Sequence, residues 1–329
     1  MILDLRQLQE ITRGVVRIEE QDGWFRFCRM TAGQEDAYLE RPVFREKARA
    51  SANVRLAFRT SSEKLSFRFR NLSGSSRPFG KLDLYRNGAL VRRMGFDGDE
   101  VTEGVMEIPL GEGEKNIELY FPWGRRFDVS EVTLEGEEAP TPLRRRYRLI
   151  TFGDSITQGY DADRPSFSYV SRLARMLDAD EINKGVGGDK FNPRLLDDPD
   201  VEIPDLITVA YGTNDWSKLT AEEFSVKCGE FYKRLSELYP TALIFAVSPI
   251  WRIDGEKVNQ FGGNVWSVEG KIRECVAGLP NVIPVSGTTL VPHLKDYYRD
   301  LRVHPNDSGF ACFAEGLHGA IVRELEKRG

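Results

Sequence analysis

Cysteine is scarce in this sequence: the chain has four, and they stand far apart, at Cys28, Cys228, Cys275 and Cys312. No two of them have the Cys-x-x-Cys spacing of a zinc knuckle, and they lack the density of a disulfide framework. We therefore expect reduced thiols that take part in packing, and neither a disulfide-stapled fold nor a cysteine-bound metal.

Long apolar runs and long runs of one charge are missing as well. No stretch approaches the ~20 consecutive apolar residues that cross a bilayer, and residues 1–10 interrupt their apolar side chains with acids, unlike a secretory signal. The 46 Lys and Arg residues are balanced by 51 Asp and Glu, without a basic block of the kind that binds phosphates. These absences predict a soluble, cytoplasmic protein that has neither a membrane nor a nucleic acid as a partner.

What the chain does contain is enough apolar material for sizeable cores. Its 329 residues are 40% apolar and 11% aromatic, whereas disordered chains are poor in both. At roughly 100–200 residues per domain, this length favours two domains. One small domain is excluded.

The first half alternates apolar and polar residues with a period of two, which is typical of half-buried antiparallel strands. Asn87-Gly88 supplies residues that tolerate the positive φ of a hairpin turn. We expect an all-β sandwich of the jelly-roll type over residues 1–140, with strands near residues 54–59, 65–70, 81–85, 105–110, 116–121 and 129–134. Recurring arginines could grip an anionic polymer, but we interpret them as a solvated sheet face without a function; they are Arg55, Arg59, Arg68 and Arg70.

The composition changes at residues 135–146, a polar segment that proline interrupts twice, as in many linkers. Beyond it, short apolar runs alternate with helical periods, which is typical of a parallel α/β sheet with covering helices. We place this second domain at residues 147–329. Strands are expected near residues 147–152, 181–186, 206–211, 242–247 and 282–285, and apolar stripes predict helices over residues 224–238 and 310–325.

Candidate chemistry begins where the first of these parallel strands ends, in the run Gly153-Asp154-Ser155. A serine at a strand-to-helix turn lies at the carboxyl edge of the strands, where such sheets bind ligands. Ser155 is therefore a candidate nucleophile. Taken alone the motif is weak, since Gly-Asp-Ser also suits an ordinary turn.

Two further candidates follow the next strands, Gly188 in a glycine-rich run and Asn214 in Gly-Thr-Asn-Asp. A tetrahedral oxyanion needs several preorganised donors, and a glycine amide together with an asparagine side-chain amide can supply them. Both residues also have a structural alternative, because the glycine could serve a tight turn and Asn214 could cap a helix.

A serine nucleophile also needs a base, and the chain has only three histidines. His318 lies beside the apolar stripe of the last predicted helix, which favours a packing role, and His293 has no clear partner in its charged segment. His304 falls in the loop directly before that helix, from where its imidazole could reach Ser155. An acid just upstream could orient it.

Together these residues resemble the SGNH hydrolases, also called GDSL esterases and lipases, which are named for Ser, Gly, Asn and His in four sequence blocks. The resemblance covers about residues 148–329 and implies a flavodoxin-like three-layer domain around the parallel sheet. The first half is more loosely similar to the β-sandwich that precedes the hydrolase domain in some carbohydrate esterases. The residues that match the four blocks, in order, are Gly153-Asp154-Ser155, Gly188, Gly212-Thr213-Asn214-Asp215 and His304-Pro305-Asn306.

The resemblance implies that Ser155 attacks a carbonyl, that His304 takes and returns the proton, and that the oxyanion is held by Asn214 and the amides of Ser155 and Gly188. It implies an acyl-ester hydrolase that needs no metal or organic cofactor. The expected partner is a small-molecule or oligosaccharide ester, and the sequence predicts nothing about oligomeric state.

The acid of the triad departs from the family pattern. The family usually places it three residues before the histidine, where this chain has Leu301. We assign it to Asp300, one residue further back, with Asp296 or a main-chain carbonyl as the alternatives. Residues four apart in an extended segment are separated by ~13 Å, so this assignment requires a turn between Asp300 and His304.

The similarity of the first half to the β-sandwich of some carbohydrate esterases implies small acyl groups, above all acetyl, and a carbohydrate as the alcohol part of the substrate. The candidate substrate-binding residues are Asp154, Trp216 and Trp251. Both tryptophans could stack on a sugar ring, with burial in the core as the alternative. Asp154 is expected to shape the turn rather than to titrate.

Three other functions stay open. A lipase or lysophospholipase is less favoured because we find no long apolar lid segment, although the loops at residues 191–204 and 254–264 could hide one. An alcohol that intercepts the acyl-enzyme would make the same site an acyltransferase. The chain could also be an inactive glycan-binding module, against which the complete set of block residues argues, whereas a phosphate-directed enzyme has no motif to support it.

Overall fold

The computed structural model describes residues 1–77, 79–97 and 102–328. In these residues the first part of the chain forms two antiparallel sheets, and the second part forms a parallel sheet between helices. The predicted order, an all-β sandwich followed by an α/β domain, is confirmed. Residue 329, the last of the expected second domain, lies outside the described residues.

The strands of the sandwich form two sheets whose pairs are all antiparallel. One sheet has the order β1-β4-β9-β6-β7 with β11 on β4, and the other has the order β2-β3-β10-β5-β8. Along the chain these strands are β1 (Thr12–Arg13), β2 (Arg17–Gln21), β3 (Trp24–Cys28), β4 (Arg55–Thr60), β5 (Lys64–Ser73), β6 (Phe79–Arg86), β7 (Ala89–Asp97), β8 (Glu103–Pro109), β9 (Lys115–Tyr120), β10 (Arg125–Leu134) and β11 (Thr141–Pro142).

An apolar core fills the space between these two sheets. Leu65, Phe67 and Phe69 alternate along β5 and are at most 3% exposed. Phe69 stacks on Phe127 of β10, with ring centres 5.3 Å apart. Burying one such side chain contributes about 1.5–3 kcal/mol, so the period-two pattern is also the source of the sandwich's stability.

Three helices that the alternation did not predict belong to the first part of the chain: α1 (Leu5–Ile11), α2 (Ala32–Asp36) and α3 (Pro42–Ala48). Tyr38 and Ala48 lie in the same apolar cluster as strands of the parallel sheet. The buried Arg29 donates hydrogen bonds to the main-chain oxygens of Ala50, Lys47 and Asn183. This helical segment therefore packs with the second part, and the boundary expected at residues 140–147 stays a prediction.

The second part is built on a parallel sheet with the order β13-β12-β14-β15-β16. Its strands are β12 (Tyr147–Gly153), β13 (Ala179–Asn183), β14 (Leu206–Ala210), β15 (Leu243–Val247) and β16 (Val282–Val285). Because the first strand lies second in this order, the chain passes from β12 to β13 on one side and then crosses back to β14 on the other side of β12. The carboxyl end of β12 is at this switch point, where open α/β sheets bind ligands.

Helices cover both faces of the sheet and make the three layers that were expected. They are α4 (Ser155–Gln158), α5 (Tyr169–Leu177), α6 (Thr213–Trp216), α7 (Ala221–Leu238), α8 (Ser267–Val276) and α9 (Asp307–Glu326). α5 packs with α9 on one face, and α7 packs with α8 on the other. Cys228, on the apolar stripe of α7, is fully buried. In the part of the chain that the structure describes, every helix is too short or too polar to cross a membrane.

The interpretation of the four arginines as a solvated sheet face is wrong for Arg55. The other three side chains are 42–50% exposed, whereas Arg55 is 1% exposed. It donates from Nε to Glu118 (3.1 Å), from Nη2 to Asp180 (2.9 Å) and from Nη1 to Glu181. A period-two pattern assumes one solvated face, and here the second part of the chain covers that face of β4 around Arg55 but not at Arg59.

Arg55→Met should lower the free energy of unfolding by about 3–5 kcal/mol, because removing one member of a buried ion network leaves the Glu181 carboxylate uncompensated. The double variant Arg55→Met/Glu181→Gln should regain much of that loss. Urea denaturation measures both. Arg59→Met, on the same face of the strand but at its exposed end, is the control and should cost less than about 1 kcal/mol; equal losses at the two positions would contradict the buried network.

Candidate active site

The loop after β12 sets Ser155 at the carboxyl edge of the sheet. Asp154 is the N-cap of α4, and its Oδ1 accepts from the amide of Ile156 (3.0 Å). A Cβ on Gly153 would lie 2.0 Å from Thr157 Oγ1 and 3.0 Å from Ala210 O. Only glycine therefore allows the strand to turn this tightly, and the turn fixes where the serine side chain points.

A chain of hydrogen bonds connects Ser155 to an acid. Ser155 Oγ lies 2.9 Å from His304 Nε2, and His304 Nδ1 lies 2.8 Å from Asp300 Oδ2. The serine is 8% exposed, so its hydroxyl is nearly enclosed but still accessible from one side. This is the geometry in which an imidazole takes the serine proton while a carboxylate orients the ring.

The position of Asp300 depends on a tight turn. Leu301 adopts a left-handed backbone conformation with φ +54°. Asp300 Oδ1 accepts the amides of Arg302 (2.9 Å), Val303 (2.8 Å) and His304 (3.1 Å). The turn removes the separation that an extended segment would impose, which is how an acid four residues before the histidine reaches its ring.

Asp296, the alternative acid, is exposed and uses its main-chain oxygen to accept from Asn306 Nδ2 (2.6 Å). For Asp300, partial burial raises the pKa, but the hydrogen bonds from His304 and the three amides outweigh it and lower the pKa. Asp300 is therefore an anion at neutral pH, as an acid that stabilises an imidazolium must be.

A second carboxylate lies close to the same histidine nitrogen, and the sequence analysis missed it. Asp161 Oδ2 is 3.5 Å from His304 Nδ1, and Asp161 Oδ1 accepts from Arg77 Nε (2.8 Å). One ligand atom each from Asp161, Asp300 and His304 lies within 4.8 Å of the others, so the three have the chemistry of a metal site. Since Asp300 already bonds to His304 and Arg77 already neutralises Asp161, the arrangement favours a hydrogen-bonded triad over a cation site.

The candidate oxyanion donors belong to segments that contact the Ser155 turn or the helix that follows it. The amides of Ser155 and Gly188 have no hydrogen-bond partner among the described residues, and Gly188 has a φ of +85° that turns its peptide at this point. Asn214, on α6, donates from Nδ2 to Asp154 Oδ2 (3.2 Å) and to Asp189 O (3.0 Å). The site therefore holds two free amides and one positioned side-chain amide.

The assignment of Asp154 to substrate binding is corrected by its burial. The side chain is 1% exposed, and its two oxygens accept from Ile156 and Asn214. Burial raises its pKa to about 6. Asp154 thus positions the turn and the Asn214 amide, and it does not face a substrate.

Trp216 is likewise a core residue and not a stacking platform. It is 2% exposed, its Nε1 donates to Gly263 O (2.9 Å), and the Arg252 guanidinium lies 4.8 Å from its ring. Trp251 is half-buried, with its ring 6.2 Å from that of His293 in a stacked arrangement. Of the two tryptophans, only Trp251 has a surface that a substrate could touch.

Residues from the first part of the chain form one wall of the site. Lys47 Nζ donates to Gly187 O (2.8 Å), and the Phe44 ring would lie 3.7 Å from a Cβ placed on Gly188. Ser76 donates its amide to Tyr160 Oη (3.3 Å). Sequence reasoning gave these residues no role, because nothing in their own segments indicates that α3 and the β5–β6 loop reach the hydrolase domain.

The fold and the residues gathered at this site fit an acylhydrolase, and the comparisons agree. Residues 151–312 match the model of the GDSL-like Lipase/Acylhydrolase family. No curated protein sequence matches the chain. The class of reaction is ester hydrolysis or acyl transfer.

Solved structures resemble the chain over nearly its whole length, the sandwich included. The salicylyl-acyltransferase SsfX3 from a tetracycline biosynthetic pathway is 24% identical with a TM-score of 0.78, and the match covers 93% of this chain and 92% of that one. A protein described as a GDSL-like lipase from Bacteroides ovatus is 20% identical, with a TM-score of 0.76 and coverage of 99% and 98%. A family two carbohydrate esterase from Cellvibrio japonicus is 17% identical, with a TM-score of 0.69 and coverage of 97% of each chain. These likenesses show a shared two-part fold.

Asp300→Asn should lower kcat by an amount approaching about 10⁴, because an amide in this position favours the wrong tautomer of His304. Steady-state kinetics with a p-nitrophenyl ester measures the loss. Asp296→Asn is the matched control, on the same loop, and should leave kcat within about twofold. Comparable losses of kcat in both variants would show that Asp300 is not the acid of the triad.

Proposed function

We propose that this protein removes small acyl groups, acetyl foremost, from a carbohydrate or a related alcohol through an acyl-enzyme on Ser155. The observation that carries the proposal is the unbroken chain of hydrogen bonds from Ser155 Oγ through His304 to Asp300. It also argues against an inactive glycan-binding module, which has no need for such a chain. A domain boundary at residues 140–147 and a cytoplasmic location remain predictions.

In the first half of the reaction, His304 Nε2 accepts the proton of Ser155 as Oγ attacks the carbonyl carbon. The amides of Ser155 and Gly188 stabilise the oxyanion, together with Asn214 Nδ2, which shares one of the hydrogens it now donates to Asp154 or to Asp189 O. Asp300 stabilises the imidazolium. His304 then returns the proton to the leaving alcohol, and the acyl group stays on Ser155.

In the second half, water takes the place of the alcohol. His304 accepts a proton from the water as it attacks the acyl carbonyl. As the second tetrahedral intermediate collapses, His304 returns that proton to Ser155 Oγ, and the carboxylic acid is released. If an alcohol enters in place of water, the same steps transfer the acyl group. The full-length likeness to a salicylyl-acyltransferase supports transfer as the second candidate function.

Two observations support a carbohydrate as the alcohol part of the ester substrate. The likeness to family two carbohydrate esterases extends over the sandwich as well as the hydrolase part. Trp251, His293 and Trp266 form a run of stacked rings, with His293 5.5 Å from Trp266 and the planes 8° apart. Flat aromatic surfaces of this kind suit the apolar face of a sugar ring.

Ser155→Ala should leave the urea midpoint unchanged and lower kcat for ester hydrolysis by about 10⁴–10⁶, since only the attacking oxygen is removed. Rates on p-nitrophenyl acetate, on longer p-nitrophenyl esters and on acetylated sugars test the acyl length and the alcohol together. Ser225→Ala, on α7, is the control and should keep full activity. A Ser155→Ala protein with wild-type rates would refute the proposed nucleophile.

Asn214→Ala should lower kcat by about 10²–10³ with little change in KM, because one oxyanion donor acts mainly on the transition state. Parallel measurement of kcat and KM on the same ester separates the effects. If only KM rises, Asn214 binds the ground-state substrate and the proposed oxyanion hole loses its side-chain donor.

A further inference from the structure

The imidazole of His304 faces two carboxylates on the same side. Asp300 Oδ2 lies 2.8 Å from Nδ1, and Asp161 Oδ2 lies 3.5 Å from it. A triad needs only one acid at this nitrogen. The role of the second acid, which is 10% exposed, therefore needs its own explanation.

Asp161 is held in place by the sandwich. Arg77, in the loop between β5 and β6, donates from Nε to Asp161 Oδ1 (2.8 Å) and approaches Asp161 Oδ2 with Nη2 (3.5 Å). The neighbouring Ser76 bonds to Tyr160 Oη through its amide (3.3 Å), and the Tyr160 ring lies 5.7 Å from the His304 ring. This loop thus reaches the catalytic histidine through two consecutive residues.

The backbone of Asp161 is strained in the way that a functional position can be. Its φ of +70° lies in the left-handed region, which costs a residue other than glycine about 1 kcal/mol or more. That conformation directs the carboxylate toward His304 and Arg77, away from the solvent.

The charges of Asp161 and Arg77 determine how the two residues act on His304. A lone Asp161 carboxylate beside Asp300 would stabilise the imidazolium further and keep His304 protonated to a higher pH, where it could not act as a base. Arg77 offsets this second negative charge. The charged and titratable groups around the imidazole are Asp300 on its own loop, Asp154 at the start of α4, Tyr160 and Asp161 after α4, and Arg77 behind Asp161.

We propose that Arg77 of the sandwich and Asp161 form a charge-compensating pair that positions His304 and sets the pH range over which it is a free base. The proposal rests on the proposed function, in which His304 is the base. It gives the sandwich an indirect part in catalysis, through the position and charge of His304, that a separate binding module would not have. Neither residue touches the reacting atoms, so both are positioning residues.

Profiles of kcat/KM against pH, from about pH 5 to about pH 9, test the pair with p-nitrophenyl acetate as the substrate. Arg77→Met should move the acid limb up by about one pH unit, since Asp161 is then uncompensated. Asp161→Asn should move it down by about the same amount, because the Arg77 charge then acts alone. In the double variant Arg77→Met/Asp161→Asn, the acid limb should lie at the wild-type pH. Arg77→Lys keeps the positive charge, so its acid limb should lie close to that of the wild type.

A direct titration of His304 by NMR makes the test independent of activity. The chain has only three histidines, so their ring signals can be assigned by replacing His293 and His318 with glutamine. The His304 signal should titrate higher in Arg77→Met and lower in Asp161→Asn. Arg68→Met, an exposed arginine of the same sandwich, is the control and should move neither readout.

A structural tether between the two parts of the chain is the competing explanation. In that case Arg77→Met and Asp161→Asn would both lower activity and stability, with unchanged His304 titration and an unchanged acid limb, and the proposal would be overturned. A second outcome is that the NMR titrations of His304 shift as expected while the acid limb of kcat/KM does not. That result would support the Arg77–Asp161 pair but show that His304 is not the base, so the proposed function would fail.

Discussion

The hydrogen bond between Ser155 Oγ and His304 Nε2 joins residues 149 positions apart in the chain. The strands and loops of the hydrolase part bring these two residues together. Strand β12 brings the serine to the carboxyl edge of the sheet, at the switch point of the strand order. The histidine arrives from the loop before α9, whose N-cap Asn306 accepts from two amides of the helix. A shift of ~1 Å at either end would break the contact.

The sandwich is part of this arrangement and is not simply attached to it. Arg29 and Arg55 are fully buried between the two parts and bond to groups of both. Lys47 fixes the glycine-rich segment through Gly187 O, and Arg77 fixes Asp161 beside the histidine. Buried charges are costly unless they are paired. These contacts therefore hold the two parts of the chain in a fixed relative position. A fixed relative position of the two parts agrees with the likeness to solved structures, which extends over both parts together.

The two periodicities predicted the architecture, and four short blocks brought Ser155, Gly188, Asn214 and His304 into one hypothesis, since each block follows a strand or precedes a helix. Contacts between the two parts could not be predicted in this way. The alternation of β4 presents Arg55 as a surface residue, and only the neighbouring domain shows that it is buried. Asp161 lies six residues after Ser155 and was missed because its ion-pair partner Arg77 lies far away in the sequence. A turn between Asp300 and His304 was required by the assignment of Asp300, yet no glycine or asparagine marks the left-handed position, which is Leu301.

The central claim is that catalysis passes through an acyl group on Ser155. The most direct measurement is rapid mixing of the enzyme with p-nitrophenyl acetate, followed by acid quench and peptide mass spectrometry. The account predicts a burst of about one p-nitrophenol per active site and an acetyl group on the peptide that contains Ser155. Turnover without an acetylated peptide, or an acetyl group on another side chain while Ser155 stays free, would contradict it.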